Sequence, residues 1–83
     1  MMNEVSLREK LIRCFRVVFP RLTEAAIPSA SVATVVAWDS LAAITLLHVV
    51  EEEFQIEVDM ENLAELDSFE KWAAFLSTET GQA

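Results

Sequence analysis

The stretch that most constrains the fold is residues 37–54, an apolar run that closes with three glutamates and a phenylalanine. At about 100° per residue, a helix over this stretch carries an apolar stripe at i, i+3, i+4, i+7 and i+11. The members of this predicted core stripe are Ala43, Leu46, Leu47, Val50 and Phe54. Leu41, Ile44 and His48 form a second, narrower stripe on nearly the opposite side. A helix in a small domain needs to bury only one stripe, so we predict that the second faces a partner.

Two polar residues mark the beginning of this helix. Asp39 stands at the expected N-cap, where its carboxylate accepts hydrogen bonds from backbone N–H groups of the first turn. Ser40 is then the first helical residue, and its hydroxyl lies at the positive end of the helix dipole. Such a serine is well placed to carry a phosphate, and an ordinary helix-start role is the alternative for it.

The remaining pattern is also helical. The chain has 83 residues, 53% of them hydrophobic, with one Gly and two Pro, and it shows no convincing strand alternation. A capping box at Ser6 and Glu9 and a proline at position 20 predict a first helix over Asn3 to Phe19. Residues 20–38 form a long connection with a predicted helical turn at 22–26. Its apolar members, predicted to pack over the helix ends, are Leu22, Ile27, Val32, Val35, Val36 and Trp38.

Behind the central helix, an extended link at residues 55–59 leads to a short predicted helix from Met60 to Glu65, capped by Asp59. Asp67 or Ser68 caps the last helix. Its predicted buried face consists of Phe69, Trp72, Ala73 and Leu76. These elements predict an all-α fold, a small four-helix bundle of three main helices and one short one. We expect a single domain over residues 1–83, with an ordered core at about 3–77 and a flexible tail at 78–83.

Charge and residue usage exclude several functions. The formal net charge is −8, with +3 on residues 1–21 and −11 on residues 22–83. This surface is a poor match for nucleic acid and a good one for basic proteins. No apolar run approaches the roughly 20 residues that span a membrane, so we expect no membrane insertion. Cys14 is the only cysteine and His48 the only histidine, which excludes an internal disulfide, favours a cytoplasmic location and argues against a metal or catalytic site. We also expect a monomer.

At Trp38-Asp39-Ser40-Leu41, followed by a helix that ends in Glu-Glu-Glu-Phe, the chain resembles the acyl carrier proteins. The similarity continues through the link at residues 56–58 and the short helix at 61–66, and it covers about Ser31 to Leu76. The resemblance implies that Ser40 is esterified with 4′-phosphopantetheine from coenzyme A by a phosphopantetheinyl transferase. Asp39 and Leu41 flank that site. The similar triplet at residues 67–69 lacks a second apolar stripe, so we predict that Ser68 only caps a helix.

The resemblance also implies partners and cargo. Acyl-loading and acyl-processing enzymes with basic docking surfaces are expected to contact Leu41, Ile44, His48, Glu51 and Glu52. Ala42 and Thr45 stand where many fatty-acid carriers have acidic residues, so a dedicated pathway, such as polyketide synthesis, is as consistent as fatty-acid synthesis. Two alternatives remain at this point. One is an aminoacyl or peptidyl carrier, and the other is a small acidic adaptor without a prosthetic group.

Overall fold

The computed structural model describes residues 4–81 and the side chains of residues 7–81. Its α-helices are α1 (Glu4–Val18), α2 (Ser40–Phe54) and α3 (Phe69–Thr80). Two 3-10 helices, Ile27–Ser29 and Met60–Ala64, lie in the connections that precede α2 and α3. No β-strand is formed within residues 4–81. The predicted all-α class with three main helices is confirmed, and the predicted short helix is a 3-10 helix.

α1 agrees with its predicted bounds to within one residue, but it starts differently from the prediction. The helix begins at Glu4, so Ser6 lies two residues inside it and the predicted capping box is wrong. The side chain of Ser6 and all of Asn3, the predicted first residue, lie outside the described part of the chain. The helix ends at Val18, two residues before Pro20. A proline disfavours the helical conformation in the residue before it, here Phe19.

A cluster of aromatic side chains joins all three α-helices. The fully buried ring of Phe15 meets Trp38 edge-on at a centroid distance of 5.4 Å and Phe69 at 5.3 Å. Phe19 lies 5.5 Å from Trp38 on the same side of the core. Edge-to-face aromatic pairs of this kind add stabilisation beyond the area that they bury. Because Trp38 precedes α2 by two residues and Phe69 begins α3, the cluster sets where both helices start relative to α1.

The face predicted for the core is the buried face of α2. Leu46, Leu47 and Val50 are at most 1% exposed, and Ala43 and Phe54 pack partly buried against the same core. The 3.6-residue period of the sequence therefore predicted the orientation of this helix correctly.

The first connection packs against the bundle, but not with all of its apolar residues. Ile27, Val35 and Trp38 are buried, whereas Val36 is 100% and Val32 46% exposed, so the prediction for the two outer valines is wrong. The Trp38 N–H donates to the Val35 carbonyl at 3.0 Å, and these two residues face the core from one turn. The intervening Val36 is thereby directed away from the core. The helical turn predicted at residues 22–26 is present, because the N–H groups of Ala26 and Ile27 both donate to the Thr23 carbonyl, and the 3-10 helix Ile27–Ser29 follows it directly.

α3 is capped by Ser68, not by Asp67. The Ser68 hydroxyl oxygen accepts a hydrogen bond from the Lys71 backbone N–H at 3.1 Å. The same segment pairs with the first connection, because the Val32 N–H donates to the Asp67 carbonyl at 3.0 Å and the Phe69 N–H to the Ala30 carbonyl at 3.0 Å. The first connection is therefore fastened to the beginning of α3.

α3 extends further than the sequence suggested. The helix is continuous to Thr80, which lies three residues beyond the ordered core expected from the sequence. The Thr80 hydroxyl donates to the Leu76 carbonyl at 2.6 Å, and Gly81 takes the left-handed conformation that ends many helices. Residues 82–83 lie outside the described part, and flexibility of the tail at 78–83 stays a prediction.

The link between α2 and the second 3-10 helix depends on one carboxylate. Glu51 Oε2 accepts a hydrogen bond from the backbone N–H of Val58 at 2.8 Å, and Val58 itself is 6% exposed. Asp59 stands at the N-cap of the 3-10 helix as predicted, but its side chain makes no capping hydrogen bond. Glu51 therefore fixes the extended link in place, a role that the sequence did not indicate.

Replacing Glu51 by alanine should lower the free energy of unfolding by about 1–3 kcal/mol, because it leaves the Val58 N–H without its acceptor. The measurement is urea unfolding followed by circular dichroism. Glu52→Ala is the matched control, since Glu52 is an exposed neighbour with the same charge, and it should change stability by less than about 0.5 kcal/mol. Equal losses for both variants would contradict the assigned role of Glu51.

Truncating Phe15 to alanine should cost about 3–5 kcal/mol, because it opens a cavity where three aromatic neighbours meet. The same unfolding experiment measures this. Val17→Ala is the control, because Val17 lies on the same helix and is 68% exposed. It should change the free energy of unfolding by no more than about 0.5 kcal/mol. A Phe15 variant as stable as the Val17 variant would show that the aromatic cluster does not hold the helices together.

Candidate functional site

Ser40 is exposed and is the first residue of α2, as predicted. Asp39 is its N-cap residue, and Asp39 Oδ1 accepts a hydrogen bond from the Ala42 N–H at 2.9 Å. The carboxylate therefore defines where the helix begins and places the exposed Ser40 hydroxyl in its first turn. No hydrogen bond within the described residues engages that hydroxyl.

The electrostatics at this helix end suit an anionic group. First-turn N–H groups of an α-helix have no partner inside the helix, and they carry the positive end of its dipole. Apart from the capping Asp39, the first turn of α2 has no acidic residue. A phosphate on Ser40 would thus be held next to backbone donors, as anions are at many helix N-termini.

Ser40 also borders a shallow cleft, broadly open to solvent, with a volume of about 370 Å³. Its walls come from the first connection, the start of α2 and the segment around the second 3-10 helix. The lining residues are Val32, Trp38, Asp39, Ser40, Ala43, Leu63, Ala64, Leu66 and Asp67. Most of these are apolar, and the two carboxylates stand beside them.

Sequence reasoning missed this cleft. The sequence indicated no site role for Leu63 or Leu66, and Val32 was predicted only to pack over the helix ends. Their apolar character was the available signal, but three separate segments have to come together before a cleft exists. Of the predicted site residues, Asp39 and Ser40 line it, whereas Leu41 does not.

The second stripe of α2 faces outward. Leu41 is 73% exposed, the His48 side chain is 67% exposed, and Ile44 is partly buried. Glu52 continues this outer face one turn beyond His48 and makes no ion pair within residues 7–81. Glu51 differs from Glu52, because its carboxylate accepts a hydrogen bond from the Val58 N–H and lies 3.3 Å from the Nδ1 of His48.

The thiol of Cys14 and the hydroxyl of Ser68 are potentially reactive, and the structure gives each of them a structural role. Cys14 is 2% exposed, and burial, with the nearby Glu53 charge as a smaller cause, raises the pKa of its thiol to about 12. This thiol therefore stays protonated at neutral pH and is a poor nucleophile. The Ser68 hydroxyl is engaged in capping α3, which agrees with the helix-cap prediction.

No helix within the described residues is both long and apolar enough to cross a membrane.

Comparison with protein families gives one result for the chain. The family model described as a phosphopantetheine attachment site matches residues 10–76, which include α2, both 3-10 helices and the cleft. Comparisons with curated proteins and with solved structures find no match. A domain of this family is not itself catalytic. It carries 4′-phosphopantetheine covalently and works with a phosphopantetheinyl transferase and with biosynthetic enzymes.

The match spans most of the chain, and it agrees with the exposed serine at a capped helix start and with the all-α architecture. The family match excludes the alternative function that the sequence left open, a small acidic adaptor without a prosthetic group. The chain therefore belongs to the phosphopantetheine attachment family and is a carrier protein that bears 4′-phosphopantetheine covalently.

Proposed function

We propose that Ser40 is the attachment residue and that the chain carries acyl groups as thioesters for a biosynthetic pathway. The observation that carries this proposal is the position of the Ser40 hydroxyl, exposed at the capped start of α2 and beside the cleft. Ser68 is the other serine that follows an aspartate, and its hydroxyl is already used to cap α3. When bound, the prosthetic group supplies a terminal thiol on a flexible arm.

The loading step requires a separate enzyme. The Ser40 oxygen forms a bond to the phosphorus of coenzyme A that is next to the pantetheine, and the pyrophosphate bond breaks. Adenosine 3′,5′-bisphosphate leaves, and the serine proton passes to a base of the transferase, whose Mg²⁺ stabilises the charge on the phosphates. Within this chain, Asp39 is committed to the helix cap, so it fixes the position of the nucleophile and leaves the proton transfer to the transferase.

The outer face of α2 is the proposed docking surface. Leu41 and Ile44 supply apolar contact next to Ser40, and His48 and Glu52 lie farther along the same face. Glu52 stands 12 positions after Ser40, about 18 Å along a helix. A fitting partner therefore has an apolar patch at the mouth of its active site and basic residues about 18 Å away. Glu51, proposed from the sequence as a further docking residue, contributes less because its carboxylate holds the Val58 N–H.

The charge distribution supports fast and reversible encounters. Most of the acidic residues lie on residues 22–83, which carry −11 in total. Such a field raises association rates with basic partners without adding much affinity, and a carrier has to be released after each step. Tethering meanwhile raises the effective concentration of the cargo at the docked enzyme. We further propose that the carrier acts as a monomer in the cytoplasm, where coenzyme A and its partner enzymes are available.

An aminoacyl or peptidyl carrier would use the same arm at the same serine. The two functions differ in the loading enzyme and in the cargo. Intact mass of the loaded protein purified from its native source distinguishes them, because an amino acid and a fatty or polyketide acyl group add different masses.

Incubation with coenzyme A and a broad-specificity phosphopantetheinyl transferase should add the mass of one phosphopantetheinyl group. Ser40→Ala should abolish the gain, because the nucleophilic oxygen is removed. Ser68→Ala, the matched control at the other aspartate-serine pair, should load fully. Intact-mass spectrometry measures all three proteins. A gain retained in Ser40→Ala would refute the assignment, as would no gain in the unaltered chain.

Leu41→Glu should reduce kcat/KM of transferase loading by about tenfold or more, because it places a charge in the apolar contact beside the reacting hydroxyl. Helix content by circular dichroism should stay unchanged, since Leu41 is 73% exposed. Val17→Glu is the control, because Val17 is 68% exposed but lies on α1. If both variants load at the parent rate, the outer face of α2 is not the docking surface for this enzyme.

A further inference from the structure

The second half of α1 and the turn after it are basic, in contrast with the rest of the chain. Residues 10–21 contain four of the six Lys and Arg residues of the chain and no acidic residue. Three of these four, Arg13, Arg16 and Arg21, are exposed. The docking surface proposed on α2 is apolar and acidic, so the basic face of α1 has no part in it.

Apolar groups lie among these arginines. Val17 is 68% exposed and follows Arg13 by four positions, so the two side chains lie on the same side of the helix. A shallow depression that is broadly open to solvent is lined by Arg13, Arg16, Val17 and Pro20, and we call these four residues the basic patch. Arginine next to apolar side chains is a combination that is enriched at protein interfaces.

The arginines of the basic patch have only exposed partners within the chain. Arg13 Nη2 lies 3.4 Å from Glu53 Oε2, and Arg16 Nη1 lies 3.1 Å from Glu24 Oε2. The arginine side chains are 64% and 54% exposed, and ion pairs in such surroundings contribute little stability. Both arginines can therefore exchange these carboxylates for those of another molecule at small cost. The neighbouring Arg21 forms no ion pair within residues 7–81.

The charge of the whole chain selects the kind of partner. Residues 22–83 carry −11, so an extended anionic surface such as a membrane or a nucleic acid would be repelled by most of the domain. A second copy of the chain, with its own net charge of −8, would be repelled in the same way. Screening limits such forces to about 8–10 Å at physiological salt, so a short acidic segment on the basic patch would interact mainly with its arginines.

We propose that the basic patch binds a short acidic segment of a partner protein. Carboxylates of the segment pair with Arg13 and Arg16, and an apolar side chain of the segment contacts Val17 and Pro20. The patch and the proposed docking surface lie on different helices and have opposite charge, so their partners do not compete. A protein bound at the patch would keep the carrier near the enzymes that visit Ser40 and would raise its effective concentration there.

A nuclear magnetic resonance titration of the ¹⁵N-labelled chain tests the proposal. The probe is a synthetic peptide with a central leucine and glutamates on both sides of it. The backbone N–H peaks of Arg13, Arg16 and Val17 should move on addition of the peptide, and those of Leu41 and Glu52 should stay in place. Added sodium chloride should weaken the binding. A peptide that leaves the three α1 peaks unmoved overturns the inference.

Two control peptides distinguish a built site from simple attraction of charge. A peptide with lysines in place of the glutamates should leave the α1 peaks unmoved. A peptide with the leucine replaced by glycine should bind several-fold more weakly, because it loses the apolar contact. If the glycine peptide binds as tightly as the leucine peptide, the patch attracts anions without recognising a segment, and the proposal is wrong.

Charge reversal at Arg16 gives a matched pair of variants. Arg16→Glu should raise the dissociation constant of the leucine peptide by about tenfold, because an attraction becomes a repulsion. Lys71→Glu changes the net charge by the same amount, and Lys71 is likewise exposed and paired with one carboxylate, that of Asp67. This control should change the constant by less than about twofold. Equal effects would show that only the overall charge matters and would overturn the inference.

Other occupants of the patch would give different results. Vesicles of phosphatidylserine and phosphatidylcholine should not bind the chain. Vesicle binding that Arg16→Glu abolishes would assign the patch to a membrane surface and overturn the proposal. The diffusion coefficient of the chain should not depend on its concentration. A concentration dependence that Arg16→Glu removes would assign the patch to a second copy instead.

The titration does not depend on the attachment proposed at Ser40, because it uses the chain before loading. Peptide binding in a chain that gains no phosphopantetheine would refute only the attachment proposal. A loaded chain whose α1 peaks ignore the peptide would refute only the present one. Saturating peptide should leave the rate of transferase loading unchanged, and a slower rate would show that the two surfaces are not separate.

Discussion

The packing of Phe15 against Trp38 and Phe69 is the contact on which the rest of this structure depends. It joins α1 to the residues that immediately precede or begin α2 and α3. Ser40 follows Trp38 by two positions, so a single residue, Asp39, lies between the exposed serine and a side chain that is buried in the core. A carrier has to present its arm at a defined place while the arm itself moves. Anchoring Trp38, two positions before the proposed attachment residue, meets that need in a domain of 83 residues.

Some of the charged residues form ion pairs within the fold, and others contribute to the negative electrostatic potential of the surface. Three arginines of α1 pair with glutamates elsewhere: Arg8 with Glu70, Arg13 with Glu53, and Arg16 with Glu24. These pairs are exposed and contribute little stability individually. Their effect is to neutralise part of the acidic surface near α1. Among the described residues, carboxylates such as that of Glu52 form no ion pair, and these are the groups proposed to attract basic partners.

A domain without catalytic groups can still serve several reactions, because the reactive thiol belongs to the arm and the catalytic residues to the partner enzymes. What the chain supplies is a fixed position for the arm and a surface for partner enzymes. The proposed docking surface is the outer face of α2, with its exposed Leu41 and His48.

The sequence by itself determined the features that depend on neighbours a few residues apart. The buried face of α2, the cap at Asp39, the exposed Ser40 and the cap at Ser68 were all readable, because helix periodicity and capping are local interactions. Only the tertiary structure decided that Val36 is exposed, that Glu51 binds the Val58 N–H, and that distant segments form a cleft beside Ser40. These features arise from contacts between segments that meet only after the helices have packed, and no local pattern encodes which segments will meet.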